Sequence, residues 1–487
     1  MTPAAIISVI IAYFAVILFI SWFTGRKSDN AGFFSGNRKQ SWYVVAIAMI
    51  GSAMSGVTFV SVPGMVATSG FGYMQMALGF IAGQIVIAFV LIPLFYRMNL
   101  VSIYGYLENR FGLSSYRTGA WFFFISKMLG ASVRLYLVCI ALQMMVFGPL
   151  GLPFLVNVAV TVLILIAYTF RGGVKAVIWI DFLKTFCMIV SIALCTILIS
   201  KSLGFTFGSM CEAVAGSDMS RIFYFDDPDH PQYFFKQFFG GMFTLIAMTG
   251  LDQDMMQRSL TCKNFRDSQK NIITSALLQT AVIFLFLTLG VLLYFFAKAN
   301  GIDATGDTLF PAVATSGLLP AIVGIVFVVG LVSCSYAAGG SALTALTTSF
   351  TVDILGTAGK SEKEVKSMRE KVHIGMAVCM GLTITVFNFI NNTSAIDAVY
   401  KLASYTYGPI LGMFAFGILT KRRTKDRCVP WISIIAPAIC LVLQFNSERW
   451  FGGYQFSYEL LIINALLTFL GLYLFSSKAD TLRAAKR

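Results

Sequence analysis

The sequence predicts an all-α polytopic membrane protein, and three observations lead to this fold class. Of 487 residues, 57% are hydrophobic and only 12% are charged, and the mean hydropathy is +0.79. Apolar runs close to the ~20 residues that a helix needs to cross a bilayer recur along the whole chain. Lysine and arginine concentrate in alternate segments between these runs, as the positive-inside rule requires. A single membrane domain over residues 1–487 therefore accounts for the sequence.

The apolar runs predict thirteen transmembrane helices. They cover residues 4–23, 42–66, 73–96, 118–146, 154–170, 176–200, 235–257, 272–297, 320–350, 372–392, 396–420, 429–445 and 458–475. The first run has no basic residues ahead of it and no small-residue cleavage site after it, so we interpret it as a permanent span and not as a signal peptide. The charge bias predicts an N-terminus outside and a C-terminus in the cytoplasm of a bacterial inner (plasma) membrane.

Composition and charge exclude several other classes of function. The net charge of +14 would suit a nucleic-acid-binding protein, but the basic residues follow the predicted topology and so need no nucleic acid to explain them. Most of the nine cysteines fall within spans, so we expect no disulfide. The two histidines, His230 and His373, lie in no ligand-spaced cluster. Metal-dependent or Ser-His-Asp chemistry is therefore not expected, and the chain is predicted not to be an enzyme.

An unusual stretch, GSAMSGVTFVSVPG at residues 51–64, interrupts the second predicted span. It concentrates glycine and hydroxyl residues at membrane depth and ends with Pro63 and Gly64. Backbone carbonyls freed within hydrocarbon cost several kcal/mol each unless they line a cavity or hold an ion. The stretch is therefore a candidate binding site. Taken alone, it is equally compatible with small residues that only let helices pack closely.

Ionisable residues inside the predicted spans are a second guide to function, because such groups are costly there and usually face a cavity or a partner. Lys127 and Arg134 lie on the fourth span, seven residues apart and so on one helix face. A guanidinium binds a carboxylate with two parallel hydrogen bonds, so Arg134 indicates an anionic substrate. The alternative is an internal ion pair with an acidic residue of another span, such as Asp181.

Three aspartates accompany these cations. Asp181 lies in the sixth span, where a carboxylate can bind sodium through a hard oxygen ligand or carry a proton. Lys184, at i+3 on the same helix face, is an alternative partner that would neutralise it. Asp252 and Asp254 lie near the inner end of the seventh span.

Five segments, spread in order over nearly the whole chain, carry a family resemblance. They are GRKSDNAGFFSGNRKQSWYVVAIAMIGSAMSG (Gly25–Gly56), YLENRF (Tyr106–Phe111), GGVKAVIWID (Gly172–Asp181), GLDQDMMQRSL (Gly250–Leu260) and YTYGPILGMFAFGIL (Tyr405–Leu419). On these segments the chain resembles the sodium:solute symporter family, which includes the sodium/proline, sodium/glucose and sodium/sialic acid transporters.

The resemblance implies a leucine-transporter-type core, built as a five-plus-five inverted repeat. Residues 42–200 would form the first repeat and 235–420 the second, with an extra helix at 4–23 before the core and two helices at 429–475 after it. Such repeats place the substrate near the bilayer midplane beside broken helices. The first break would fall near residues 54–57.

The resemblance also implies site residues. The substrate-facing residues that it implies are Ser52, Ser55 and Thr58. The arginine and glutamine of the sialic acid branch fall on Gly130 and Ala77. Arg134, one turn from the first position, and Gln75, two residues from the second, are the residues expected here to contact substrate. The residues expected to bind sodium are Gly51, Met54 and Cys334 through their carbonyl oxygens, and Asp181 and Ser341 through their side chains at a second site.

At the usual sodium site, this sequence departs from the family pattern. The two hydroxyl ligands of that site fall on Ala337 and Ala338, which removes oxygen ligands that a hard cation needs. Ser333 or Ser335 could replace them if the helix is shifted. Alternatively, Lys184 could supply a fixed or titrating charge and make the protein a proton-coupled or ion-independent carrier.

Together these observations predict a secondary active transporter that imports a small polar solute by sodium-coupled symport with alternating access. The solute would be anionic or polyhydroxylated, such as an organic acid, a sugar or a sialic acid-like molecule. The expected partners are this solute, the sodium ion and the lipid bilayer; no cofactor is expected, and the chain would function as a monomer. A channel or a sensor fits less well, because no ring of pore-lining charges and no signalling module is visible.

Overall fold

The computed structural model describes residues 3–25, 40–98, 102–170, 174–357, 359–390, 395–454, 456 and 458–477. Within these residues the chain is helical almost throughout. The α-helices are α1 (Pro3–Gly25), α2 (Trp42–Ala53), α3 (Gly56–Gly64), α4 (Val66–Ser69), α5 (Tyr73–Val86), α6 (Ile92–Met98), α7 (Gly105–Arg110), α8 (Leu113–Leu142), α9 (Phe154–Thr169), α10 (Val174–Ser202), α11 (Phe207–Ala215), α12 (Phe234–Leu245), α13 (Gln253–Ser259), α14 (Phe265–Ala299), α15 (Leu309–Thr315), α16 (Ala321–Ser349), α17 (Glu362–Ile390), α18 (Ala395–Leu419), α19 (Val429–Trp450) and α20 (Leu460–Leu474).

Some helices continue into π-helical turns, at Ile87–Leu91, Gln143–Phe147, Ile246–Gly250 and Phe350–Ile354. Two short strands, β1 (Arg423–Thr424) and β2 (Ser476–Ser477), pair antiparallel. The long helix α10 packs against α2 and α16, while α14 packs against α2, α3 and α5. The two short helices α2 and α3 are thus enclosed by longer ones.

The helices agree with the predicted class of membrane protein. Within the described ranges, 8 helices are long and apolar enough to cross a membrane, and the number rises to 10 if each of two sharply bent helix pairs counts as one span. All thirteen predicted segments fall on helices. Three of them correspond only to shorter apolar helices, Ile7–Phe19, Phe154–Thr169 and Leu460–Leu474. The count of thirteen crossings and the inverted repeat therefore stay predictions.

The first bent pair confirms the break predicted in the second span. Helix α2 ends at Ala53, Met54 and Ser55 are extended, and α3 begins at Gly56 with its axis turned by 61°. Met54 has φ −93° and ψ 118°, and Ser55 has φ −107° and ψ 179°. Two consecutive extended residues cannot continue the helical hydrogen-bond ladder, so the ends of both half-helices keep open backbone groups.

The second bent pair corrects a prediction. The sequence predicts one span over residues 235–257, but the helix ends at Gly250 and α13 starts at Gln253, at an angle of 74°. Asp252 starts the new helix α13: its side chain caps the N-terminus and accepts a hydrogen bond of 3.1 Å from the backbone N–H of Met255. An aspartate two residues after a glycine is a helix-start signal that could have revealed this break.

Helix α3 is held rigidly by its packing against α14 and α15. The ring of Phe59 stacks on Phe310 with centroids 5.4 Å apart and meets Phe286 edge-on at 5.6 Å. Gly290 of α14 lies against the backbone of Pro63, where an added Cβ would come within 2.9 Å of the Pro63 Cα and closer still to its carbonyl oxygen. The first break is therefore fixed on its α3 side by close contact between backbones.

We predict that Gly290→Ala destabilises the protein, since the new methyl group would meet backbone atoms that cannot give way. Overpacking of this kind costs roughly 1–3 kcal/mol, more than the ~1 kcal/mol that alanine gains over glycine in a helix. Gly375→Ala is the matched control, because that glycine lies in α17 with open space around it. Thermal unfolding of the purified protein in detergent should show a lower midpoint for Gly290→Ala and an unchanged or higher one for Gly375→Ala. Equal midpoints would contradict the packing described here.

Candidate functional site

A cavity lies where the two broken helix pairs face each other. Its wall includes both breaks together with parts of α5, α8, α14, α16 and α18. Of the residues predicted to contact substrate, Ser52, Ser55, Thr58 and Arg134 line this cavity. The structure thus brings together four side chains that are up to 82 positions apart in the sequence, counted from 52 to 134.

Three of these four side chains are available to a ligand. The hydroxyl groups of Ser55 and Thr58 and the guanidinium of Arg134 form no hydrogen bond or ion pair within the part of the chain that the structure describes. Ser52 is already engaged, because its hydroxyl donates to the Ala48 carbonyl oxygen and to Asp181 Oδ2, both at 3.0 Å. Ser52 therefore shapes the wall of the cavity through Asp181.

Gln75 does not join this group. It is fully buried but absent from the cavity wall, and its side-chain amide holds a predicted outer loop. Its Nε2 donates to the Gln232 carbonyl oxygen at 2.8 Å, and its Oε1 accepts from the backbone N–H of Tyr224 at 3.1 Å. A structural role in the loop accounts for all of these contacts, so we leave Gln75 out of the proposed substrate site.

Asp181 pairs with a residue that the sequence did not suggest. Its Oδ2 lies 2.5 Å from Arg258 Nη1, whereas neither Arg134 nor Lys184 forms an ion pair with it in the described residues. The direct ion pair of Asp181 is thus made with Arg258, and neither of the two pairings predicted for Asp181 is present as an ion pair among the described residues. Arg258 follows directly after the predicted span 235–257, yet its side chain is only 2% exposed.

Arg258 belongs to a network of charges on the wall of the cavity. Its Nη2 also binds Asp254, at 3.1 Å. Lys127 of α8 binds Asp252 at 3.1 Å and Asp254 at 3.0 Å, and the hydroxyl of Tyr407 donates to Asp252 at 2.7 Å. The network joins α8, α10, α13 and α18, and it gives Asp181, Asp252 and Asp254 each a cationic partner.

Lys184 differs from these cations. It is completely buried, and its Nζ has no hydrogen-bond partner among the described residues. The same holds for Asp181 Oδ1 and for the hydroxyl groups of Ser333 and Ser335. These polar atoms lie behind the first break, where Ser335 packs directly against Gly56.

The oxygen atoms around the first break fit the requirements of a sodium ion. The carbonyl oxygens of Gly51 and Met54 accept no hydrogen bond within the described residues, which is the expected state at an opened helix. Ser333 and Ser335 flank the buried Cys334 and supply hydroxyl oxygens without partners. Carbonyl, hydroxyl and carboxylate oxygens are the ligands that hard cations prefer.

The second sodium site, with Asp181 and Ser341 as ligands, stays a prediction. Ser341 lies 3.5 Å from both oxygens of Asp254, and no hydrogen bond joins it to Asp181 in the described residues. Arg258 binds both of these aspartates. Ala338 lines the cavity, while the side chain of Ala337 lies outside the described residues.

One end of the cavity is closed by two tyrosines from different helices. Tyr73, at the start of α5, and Tyr400, in α18, both line the cavity, and their hydroxyl groups are 2.8 Å apart. This pair lies toward the loop that Gln75 holds, on the side predicted to face outward. A solute inside the cavity would be shielded there by the two rings.

The fold matches that of a known class of transporter. The sequence model of the sodium:solute symporter family matches residues 33–428, so the chain belongs to this family and is a membrane transporter, not an enzyme. A solved substrate-bound, outward-open structure of a Na⁺-coupled sialic acid symporter superimposes with a TM-score of 0.82 at 19% identity, covering 96% of this chain and 97% of that one. The structure of Mhp1, a nucleobase-cation-symport-1 family transporter, superimposes with a TM-score of 0.53 at 13% identity.

Relatives of known function are similar over most of the chain. The sodium/sialic acid symporter NanT of Aliivibrio fischeri is 25% identical over 462 residues, which span 90% of this chain and 86% of the relative. Sodium-coupled monocarboxylate transporter 1 of Homo sapiens is 24% identical over 453 residues, spanning 90% of this chain and 71% of the relative. The confirmed class is therefore sodium-coupled solute symport, and the two relatives differ in the solute.

We predict that Gln75→Met leaves solute binding unchanged but loosens the outer loop, because methionine keeps the size of the side chain and loses both loop hydrogen bonds. Limited proteolysis between residues 221 and 233 should become faster, while the KM for uptake should stay within about twofold, as expected for a residue outside the site. A raised KM with unchanged proteolysis would instead support the substrate role predicted from the sequence.

Proposed function

We propose that this protein imports a small organic anion with a single carboxylate, driven by the sodium gradient. The observation that carries the proposal is the Arg134 guanidinium, which lines the cavity and has no carboxylate partner within the described residues. A half-buried guanidinium without a counter-ion is costly, and a carboxylate ligand satisfies its planar fork with two hydrogen bonds. The ligand thus completes an ion pair that the protein leaves open.

The charge balance of the site supports an anion. Four cations, Lys127, Arg134, Lys184 and Arg258, lie in or beside the cavity, and they face three carboxylates. The carboxylates of Asp181, Asp252 and Asp254 are bound by Lys127 and Arg258. Of the two remaining cations, Arg134 lines the cavity. One negative charge on the solute would offset the unpaired positive charge of Arg134 where the solute binds.

The rest of the cavity wall favours a polar solute. The free hydroxyl groups of Ser55 and Thr58 lie at the first break, where they can bind hydroxyl or carbonyl groups of the solute. Similarity to transporters of sialic acid and of monocarboxylates agrees with this chemistry, since the members of both groups act on carboxylates. Sodium would be held at the first break by the carbonyl oxygens of Gly51 and Met54, with Ser333 or Ser335 in place of the missing hydroxyl ligands.

We predict that Arg134→Gln reduces uptake of a carboxylate substrate by about 100-fold or more in kcat/KM, because loss of a buried charge-assisted pair costs ~3 kcal/mol or more. Uptake is measured in proteoliposomes under an inward sodium gradient. For the amide analogue of the same substrate, kcat/KM should differ far less between the variant and the parent protein.

Arg221→Gln is the matched control, because this arginine pairs with Asp226 in an exposed loop. Its uptake should equal that of the parent. If Arg134→Gln leaves the apparent affinity for carboxylates unchanged, the proposed substrate class is wrong.

We also predict that Ser335→Ala raises the sodium concentration for half-maximal uptake by several-fold, since removal of one oxygen ligand weakens a hard-cation site. Ser433→Ala is the control, as this serine is equally buried but lies in α19 and donates to Met413 Sδ, whereas Ser335 packs against Gly56 at the first break. Initial uptake rates at graded sodium concentrations measure the effect. An unchanged sodium dependence would remove Ser335 from the proposed sodium site.

A further inference from the structure

A second, smaller cavity adjoins the first, between α13 and α16. Three residues, Asp254, Arg258 and Ser341, line both cavities. A single layer of side chains therefore separates them. Thr344, Ala345 and Thr348 line the second cavity but not the first, in the direction in which α16 runs toward its C-terminal end.

Hydrogen bonds and ion pairs hold this layer closed. The guanidinium of Arg258 spans two carboxylates, with Nη1 at 2.5 Å from Asp181 and Nη2 at 3.1 Å from Asp254. The hydroxyl of Ser341 lies 3.5 Å from Asp254 and completes the layer from α16. Because a guanidinium is a planar fork, it can bind two acceptors at once only in a narrow range of positions. Closure is thus sensitive to the position of α13.

The ion pairs of this layer join a short half-helix to a long continuous helix. Arg258 and Asp254 lie on α13, a 7-residue half-helix joined to the preceding helix through the 74° break. Asp181 lies on α10, a continuous helix of 29 residues that packs along α2 and α16. A rotation of α13 about the break would carry Arg258 away from Asp181 and merge the two cavities.

We propose that the solute leaves the main cavity through the layer of Asp254, Arg258 and Ser341 into the second cavity, and that the ion pair between Arg258 and Asp181 is the latch of this exit. The proposal rests on the transport function proposed above, because an exit requires a solute that is carried. The second cavity lies on the side predicted to be cytoplasmic, so the latch controls release into the cell.

The test uses a Thr348→Cys variant as a reporter in the second cavity, reconstituted in lipid nanodiscs so that both faces are accessible. The rate of modification by a polar maleimide is read at position 348 by peptide mass spectrometry, which separates it from the nine native cysteines. The buffer contains no sodium. Any effect of Asp181 as a sodium ligand is thereby removed from the comparison.

With Asp181→Asn added, modification at position 348 should be at least about tenfold faster, since removal of one partner of a buried ion pair strongly destabilises the closed state. Arg258→Lys should also speed modification, because a lysine side chain ends in one nitrogen, which cannot occupy the positions of both Nη1 and Nη2 of the guanidinium. It keeps the buried positive charge, and so provides a test if Asp181→Asn fails to fold. Asp226→Asn, which breaks an exposed ion pair, should leave the rate unchanged.

Modification with a bulky maleimide should then block uptake in the Thr348→Cys protein, while the parent protein treated in the same way keeps its activity. Unchanged modification rates in both latch variants, or full uptake after modification at position 348, would overturn the proposal. If the proposed function is wrong, the result is different. Modification at position 348 should still be faster in the latch variants, but no carboxylate should be taken up.

Discussion

The carboxylate of Asp181 joins the two broken helices, and the shape of the cavity depends on the bonds it makes. It is completely buried and accepts from Ser52, one residue before the end of α2, and from Arg258 on α13. A buried carboxylate is tolerated only when it is paired with a cation and hydrogen-bonded. Asp181 therefore needs both Ser52 and Arg258, and its carboxylate holds these two residues in place. The inner halves of both broken helices are thereby tied to one residue of α10.

The same arrangement explains how open backbone groups can exist at membrane depth. At the first break the carbonyl oxygens of Gly51 and Met54 face away from any helical partner, and at the second break Asp252 caps the new helix. Opened helices are stable in a bilayer only where they are enclosed by protein or face a cavity. Close contact of Gly51 with α10, where an added Cβ would lie 2.9 Å from the Asp181 carbonyl oxygen, provides that enclosure. The breaks are therefore where we propose that ligands bind and that the half-helices rotate.

The fold was largely predictable from the sequence, whereas the pairing of charges was not. Hydrophobic length and loop charge identify membrane helices because the bilayer imposes both, and the glycine and serine residues near Ser55 marked the first break. The partner of Asp181 could not be inferred, since Arg258 lies 77 positions away and looks like a loop residue in the sequence. The role of Gln75 was missed for the same reason, because its partners belong to a loop about 150 residues further along the chain.

The most direct test of the account is uptake of a labelled monocarboxylate into proteoliposomes under one imposed gradient at a time. An inward sodium gradient should drive accumulation above the external concentration, and an inward proton gradient without sodium should not. Accumulation driven by protons alone, or equilibration without accumulation under either gradient, would contradict sodium-coupled transport of an anion by this site.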